Sequence, residues 1–311
     1  VNKTKIEWVK NPDGTQGYTL NPCSGCRNHT PDGLCLGGLF PCYAWKLAHT
    51  RLKQRYLANK NGLPYSIFEK SVAEELKAEI DPFYPRFWEE RLHEPDIEPT
   101  KPQHMKGIFV CDMGDLFGIG IPEVWTREVL NVIWSNPWHR FYLLTKQPQN
   151  LIKFSPFPDN CWVGITATNT EMFLRACSSL EYPVQAKVKY LSVEPLLQWS
   201  FNWEQSYLIN ALNRADIKLV IIGACTGRSP ELLKLQKHYP SLTLMPYGHQ
   251  WTAQPPIENL REIVEAADQA GIKVFLKDNL RPLLKYPIEY KWAFTEDRGS
   301  YHMRQEMPER Y

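Results

Sequence analysis

"KGIFVCDMGD", residues 106–115, is the stretch on which the fold turns: a run of apolar, strand-forming residues that stops at an acidic, glycine-containing switch. A short, nearly continuous apolar run marks a strand buried on both faces, as in a parallel sheet, because a strand with one wet face alternates instead. The pattern returns in "RFYLLTKQ" (140–147), "NCWVGITATN" (160–169), "VKYLSVEP" (188–195), "KLVIIGACTG" (218–227) and "IKVFLKDN" (272–279). Weaker strands are read in "GYTLN" (17–21) and "FYPRFW" (83–88), which brings the count near eight. Between strands, "PEVWTREVLNVIWSNP" (122–137) and "PPIENLREIVEAADQAGIK" (255–273) carry helical spacing, the second with prolines at its first turn and Gly271 as its stop. Strand alternating with helix predicts an α/β fold with right-handed crossovers. The expectation is a (βα) barrel of TIM type, complete or partial, as one domain over 1–311. It has a cysteine-rich loop at 21–44 and a C-terminal extension from about 280 to 311.

In such folds chemistry sits on the loops after the strands. The polar residues there are Cys111, Asp112 and Asp115, then Thr145 and Lys146, then Thr166, Thr168 and Asn169. Further along come Ser192 and Glu194, Thr226, and finally Lys277 and Asp278. Strand ends meet solvent, which accounts for any one of these. The set is harder to dismiss, because Asp112, Lys146, Glu194 and Lys277 directly follow apolar runs, where a charge is costly unless paired or used.

The 311 residues are 43% hydrophobic, 13% aromatic and 23% charged, the composition of a folded chain, with a net charge of +2. Near-neutrality confines any nucleic-acid surface to a local patch. No apolar run reaches the roughly 18 to 20 residues of a membrane helix, and the first residues lack the pattern of a signal peptide. The expected location is the cytoplasm, with no membrane partner. There the eight cysteines are expected free, buried or metal-bound.

Four of those cysteines are spaced Cys23-x2-Cys26-x8-Cys35-x6-Cys42, between the first strand and a basic helical stretch carrying Lys46, Arg51, Lys53, Arg55 and Lys60. Tetrahedral zinc is one reading, although its second cysteine pair is too widely spaced for a usual knuckle. An iron-sulfur cluster on three cysteines, with its fourth iron open to a small ligand, is the other. Spacing alone does not choose between them. Basic groups near aromatics suit phosphate contacts and base stacking; a solvated helix face accounts for the same charges.

"NPCSGC" (21–26) with "CYA" (42–44) resembles the cluster loop of radical S-adenosylmethionine (SAM) enzymes of the spore photoproduct lyase branch. The rest of the chain resembles the phage gene-product thirty-seven/sixty-eight family, three-cysteine, radical-SAM-like proteins. It does so through "KIEW" (5–8), "PCYAWKLA" (41–48), "IFVCDMGDLF" (108–117), "FYLLTKQPQNL" (141–151), "KYLSVEPLL" (189–197) and "VIIGACTG" (220–227). The resemblance implies a [4Fe-4S] cluster on Cys26, Cys35 and Cys42, with Cys23 a bystander or a substitute for Cys35. The position three before the last cysteine, where the family has its middle one, is Leu39. It further implies S-adenosyl-L-methionine bound near Tyr43, Asp112, Asp115, Thr145, Thr166, Ser192 and Glu194, and Cys111, Lys146 and Lys277 as candidates for catalysis. The implied partners are an electron donor such as ferredoxin or flavodoxin and, as substrate, nucleic acid.

Overall fold

The computed structural model describes residues 1–59, 77–96, 100–101, 104–182, 184–200 and 204–308; Lys60 and the last residues of the tail lie outside these. Ten short segments define the strands used below. They are β1 (Asn2–Lys3), β2 (Tyr18–Leu20), β3 (Cys23–Ser24), β4 (Arg86–Phe87) and β5 (Gly107–Val110), then β6 (Arg140–Thr145), β7 (Cys161–Thr166), β8 (Val188–Val193), β9 (Ile217–Ile222) and β10 (Lys273–Leu276). Eight of them form one sheet in the order β1-β2-β5-β6-β7-β8-β9-β10. The pairs β2–β5, β5–β6, β8–β9 and β9–β10 are parallel, and β1 runs antiparallel to β2. No pairing among the described residues joins β1 to β10, so the sheet is mainly parallel without closing into a TIM barrel. All six strong apolar runs are strands of this sheet. Every residue of β5, β7 and β8 is buried, as a strand covered on both faces requires.

"FYPRFW" behaves differently. Only Arg86–Phe87 is extended, and it pairs antiparallel with β3, outside the main sheet. Its aromatics are there to pack: Phe83 and Trp88 are core residues, and the buried Arg86 guanidinium donates to the carbonyls of Ala78 and Asp81. The stretch after Cys42 is likewise not one helix but two, α1 (Tyr43–His49) and α2 (Lys53–Ala58), broken where Thr50 leaves helical geometry. The two amphipathic helices appear as expected, as α3 (Glu123–Ser135) and α4 (Ile257–Gln269).

The chain falls into two compact units, Val1–Leu36 with Pro41–Val163, and Gly37–Phe40 with Gly164–Tyr311. In the first, Ala44 and Ala48 of α1 and Tyr56 of α2 pack on Phe83, Trp88 and Met113, and Cys26, Cys42 and Trp45 lie against this cluster. In the second, Leu197, Leu232, Leu235 and Leu242 form a core under a three-stranded antiparallel sheet of Cys225–Gly227, Gln250–Gln254 and Thr243–Tyr247. No helix of the described residues is long and apolar enough to cross a membrane.

Candidate functional site

The cysteine loop begins at Asn21, which follows β2. Its amide donates to Asp112 Oδ1 (2.6 Å) and accepts from the Met113 N–H (3.0 Å), tying the loop to the turn after β5. Gly25 tightens that tie. Its N–H donates to the Met113 carbonyl, it bridges to Gly114, and its φ of +88° places any Cβ within 2.6 Å of the Tyr84 and Phe83 carbonyl oxygens. Only glycine fits there. Cys26 is thereby fixed: its N–H donates to the Phe83 carbonyl, and its sulfur accepts from the Asn28 N–H at 3.3 Å. Burial, with Asp115 nearby, pushes the Cys26 thiol up to about 12.

The middle of the loop folds back on itself. His29 bridges to Cys35, Thr30 Oγ1 accepts from the Leu34 N–H, and the Gly33 carbonyl receives the Cys42 N–H. Gly33, at φ +85°, lies against the Trp45 indole, which leaves no room for a side chain. Cys42 then caps α1, its sulfur accepting from the Trp45 N–H at 3.5 Å. Burial raises its thiol pKa.

These three cysteines share one neighbourhood. Cys26 and Cys42 each lie within electrostatic range of Cys35 and of Lys146, which follows β6. Burial works against the Lys146 ammonium, but Cys35, Asp115, Cys42 and Cys26 together hold its pKa above the ordinary lysine value. Asp115 organises this end of the strand. Its carboxylate accepts from Thr145 Oγ1 (2.8 Å), the Lys146 N–H (3.0 Å) and the Phe117 N–H (3.1 Å). Burial nevertheless leaves its pKa raised. Tyr43 is 55% exposed rather than core, and its hydroxyl donates to the Asp112 carbonyl. Asp112 is also shifted upward by burial.

Cys23 stands apart from this group. It is 1% exposed in β3, and its thiol is hydrogen-bonded with that of Cys111, with burial raising its pKa well above the ordinary value. Cys111, expected at the open end of its strand, is 3% exposed and adopts a left-handed φ of +62°. Leu39 is also left-handed, at φ +53°, and belongs to the second unit, whereas Cys35 belongs to the first with Cys26 and Cys42.

Among the described residues no three His, Cys, Asp or Glu side chains gather closely enough for one metal ion.

In the second unit the strand ends form a different arrangement. Glu194 follows β8 and Lys277 follows β10, and their side chains are ion-paired across β9. The strand between them continues into Gly223, where a Cβ would approach Lys277 Cδ at 3.0 Å and Glu194 Cγ at 3.3 Å. Asn279 closes the set: its amide accepts from the Ala224 N–H and donates to the Ala224 carbonyl and Thr226 Oγ1. Ser192 is buried, Thr168 Oγ1 donates to the Gly37 carbonyl, and the buried Thr166 hydroxyl has no partner among the described residues. Asn21 and Asn279 are the structural residues that sequence reading passed over. Each follows a strand, where an amide both donates and accepts, and that position was the available signal.

Comparison with known proteins gives a family and a loose structural likeness. The family model described as "Protein of unknown function (DUF5131)" matches residues 3–236. No curated protein matches the chain. Among solved structures, it is similar to spore photoproduct lyase complexed with dinucleoside spore photoproduct, at 12% identity and a TM-score of 0.46, covering 82% of this chain and 75% of that one. A doubly substituted spore photoproduct lyase with bound AdoMet and dinucleoside spore photoproduct gives 12% identity and a TM-score of 0.43, covering 83% of this chain and 75% of that one. A likeness of that degree assigns no role to any residue.

Proposed function

We propose that this chain, which belongs to the DUF5131 family, is a radical SAM-type enzyme whose cluster is held by Cys26, Cys35 and Cys42. The observation that carries the reading is the division of the four loop cysteines. Cys26 and Cys42 lie against one core cluster and, with Cys35, act electrostatically on Lys146, whereas the fourth, Cys23, is buried and its thiol is hydrogen-bonded with the free thiol of Cys111. Three protein thiolates leave one iron of a [4Fe-4S] cluster open to a small ligand. The loop motif, "NPCSGC" with "CYA", resembles that of the spore photoproduct lyase branch and agrees with this count. When bound, such a cluster supplies one-electron cleavage of S-adenosyl-L-methionine to methionine and a 5'-deoxyadenosyl radical, and the protein supplies orientation and exclusion of water.

The chain's own residues have distinct tasks in this reading. Asn21 and Gly25 hold the loop on the turn after β5, and the Asp115–Thr145 contact fixes the end of β6 against it. Tyr43 and Asp112, joined by a hydrogen bond, are the residues of the first unit proposed to bind S-adenosyl-L-methionine. Glu194 and Lys277 already neutralise each other, so either must exchange partners before binding a charged ligand. Cys111 is set aside as a hydrogen donor because its thiol is buried beside Cys23. The partner in this reading is an electron donor such as ferredoxin or flavodoxin. Nucleic acid is the proposed substrate class: residues 33–59 carry no Asp or Glu, and Arg51, Lys53 and Arg55 are exposed.

The test is anaerobic purification with iron, sulfide and zinc analysis, followed by SAM cleavage under reductant. The expected result is about four irons and four sulfides per chain, 5'-deoxyadenosine released, and both lost in Cys42→Ala. Stoichiometric zinc from iron-replete cells, with no SAM cleavage, would replace this reading by a metal-stabilised binding module.

A further inference from the structure

We infer that Arg55 and Arg91 form a binding site for the backbone phosphate of a nucleic-acid strand, mounted on Trp88 beside the cysteine loop. The inference deepens the nucleic-acid reading above and rests on it. Trp88 is the mount. It is 5% exposed, its main-chain N–H donates to the Pro22 carbonyl (2.7 Å) and its ring N–H to Ser24 Oγ (2.7 Å), so both neighbours of Cys23 hold it. Tyr56, buried in α2, packs against the same ring with 5.5 Å between centroids. Helix α2 and the short helix Glu89–Leu92 thereby meet at one indole, and each brings an arginine to it.

The guanidinium carbon of Arg91 lies 3.9 Å from the Trp88 ring centroid, and that of Arg55 lies 5.7 Å from it. Arg91 Nη1 also donates to the Asn21 carbonyl at 3.2 Å, which ties it to the residue that opens the loop. An aromatic face attracts a guanidinium without neutralising it, and the remaining N–H groups stay available. Among the described residues no carboxylate is ion-paired with either arginine. Burial first and then the Arg55 charge lower the Arg91 pKa, outweighing the exposed Glu90 beside it. Two cations held this way repel each other, and an anion between them offsets the repulsion. Paired phosphate oxygens match the guanidinium fork. Arg51 and Lys53 are exposed nearby in sequence, and residues 33–59 add no acidic group that would turn a strand away. Because Trp88 is covered, it offers no face to a base, so the site reads backbone and not sequence.

The experiment is fluorescence anisotropy of the full chain with labelled DNA and RNA strands of about ten nucleotides, over a range of salt concentrations, with iron and sulfide content and SAM cleavage measured on the same preparations. For whichever strand type binds, Arg55→Gln and Arg91→Gln should each weaken binding about five- to tenfold, equally for all base sequences, and lower the salt slope by about 0.7. Lys234→Gln, at an exposed lysine of the helix Ser229–His238, should change neither. Arg91 also holds Asn21, so a urea midpoint accompanies its variant; should that variant fail to fold, Arg55→Gln, at an exposed position, decides. Wild-type binding that Arg55→Gln leaves unchanged overturns the inference and leaves the function reading intact. An equal loss in Lys234→Gln does the same, because diffuse charge then accounts for the binding. A wild-type chain that binds neither strand overturns the inference together with nucleic acid as the substrate class, while cluster content and SAM cleavage decide the radical reading separately.

Discussion

The ends of β5 and β6 in the first unit and those of β8, β9 and β10 in the second hold polar groups in the same kind of place but by opposite means. In the first, a glycine with positive φ presses one loop against another, and three thiols and Asp115, whose carboxylate accepts from uncharged donors, act electrostatically on Lys146. In the second, a carboxylate and an ammonium meet directly across a glycine of ordinary φ, and an asparagine satisfies the backbone beside them. In the proposed reading the first arrangement is complete only when a ligand joins the sulfurs. The second is complete as it stands. We therefore propose ligand chemistry for the cysteine loop, while the Glu194–Lys277 ion pair ties the ends of β8 and β10 together.

The sharpest way to break this contrast is to add one methyl group in each place. Gly25→Ala should destabilise the protein by at least about 3 kcal/mol and abolish metal uptake, because both backbone strain and carbonyl contacts oppose it. Gly223→Ala should cost only about 1 kcal/mol, since the nearest atom is on a flexible lysine stem. Urea midpoints of the two variants, with metal content, check the order. Next come the carboxylates. Asp115→Asn should cost about 2 kcal/mol, because an amide cannot accept from all three donors that the carboxylate serves, and it should also lower cluster content. Glu194→Gln should cost about 1–2 kcal/mol through the stranded Lys277 ammonium and leave iron content unchanged.

A third comparison uses pH. His139 is buried, its Nδ1 accepts from the Lys106 N–H, and burial lowers its pKa to about 4. The unfolded chain binds a proton near pH 6.5 and the folded one does not, so stability is lost as pH falls from about 6.5 towards 4. The loss at pH 5 should be about 1–2 kcal/mol and should vanish in His139→Gln; urea titrations at pH 7 and 5 measure it. The smallest expected effect concerns the bystander thiol. Cys23→Ala should keep full iron and sulfide content and cost about 1 kcal/mol of stability. Loss of the cluster in that variant would return Cys23 to the ligand set.

The strongly apolar strands were readable because burial on both faces leaves no alternation to misread. "FYPRFW" misled for the same reason: aromatic enrichment reports burial, and burial there comes from packing around Arg86 rather than from a ladder. The basic stretch after Cys42 has helical periodicity throughout, and nothing in that pattern marks the break at Thr50. Cys26, Cys42 and Lys146 stood out in the sequence because thiols and a charge after an apolar run need an explanation. That Asp115 and Glu194 could pair with Lys146 or Lys277 was also legible, but the choice of Lys277 for Glu194 depends on which strands become neighbours of β9. The hydrogen bond between the free thiols of Cys23 and Cys111 likewise joins residues that only the folded chain brings together.

Cys42 has two occupations at once, as a proposed ligand and as the acceptor that starts α1. Deprotonation on binding makes its sulfur a stronger acceptor for the Trp45 N–H. Helix and ligand then share one equilibrium: loading the loop lengthens the lifetime of α1, and a stable α1 raises affinity for what the loop holds. Amide exchange in residues 43–49 thus becomes a gauge of occupancy, slow in the loaded protein and fast in the empty one, readable without following any reaction.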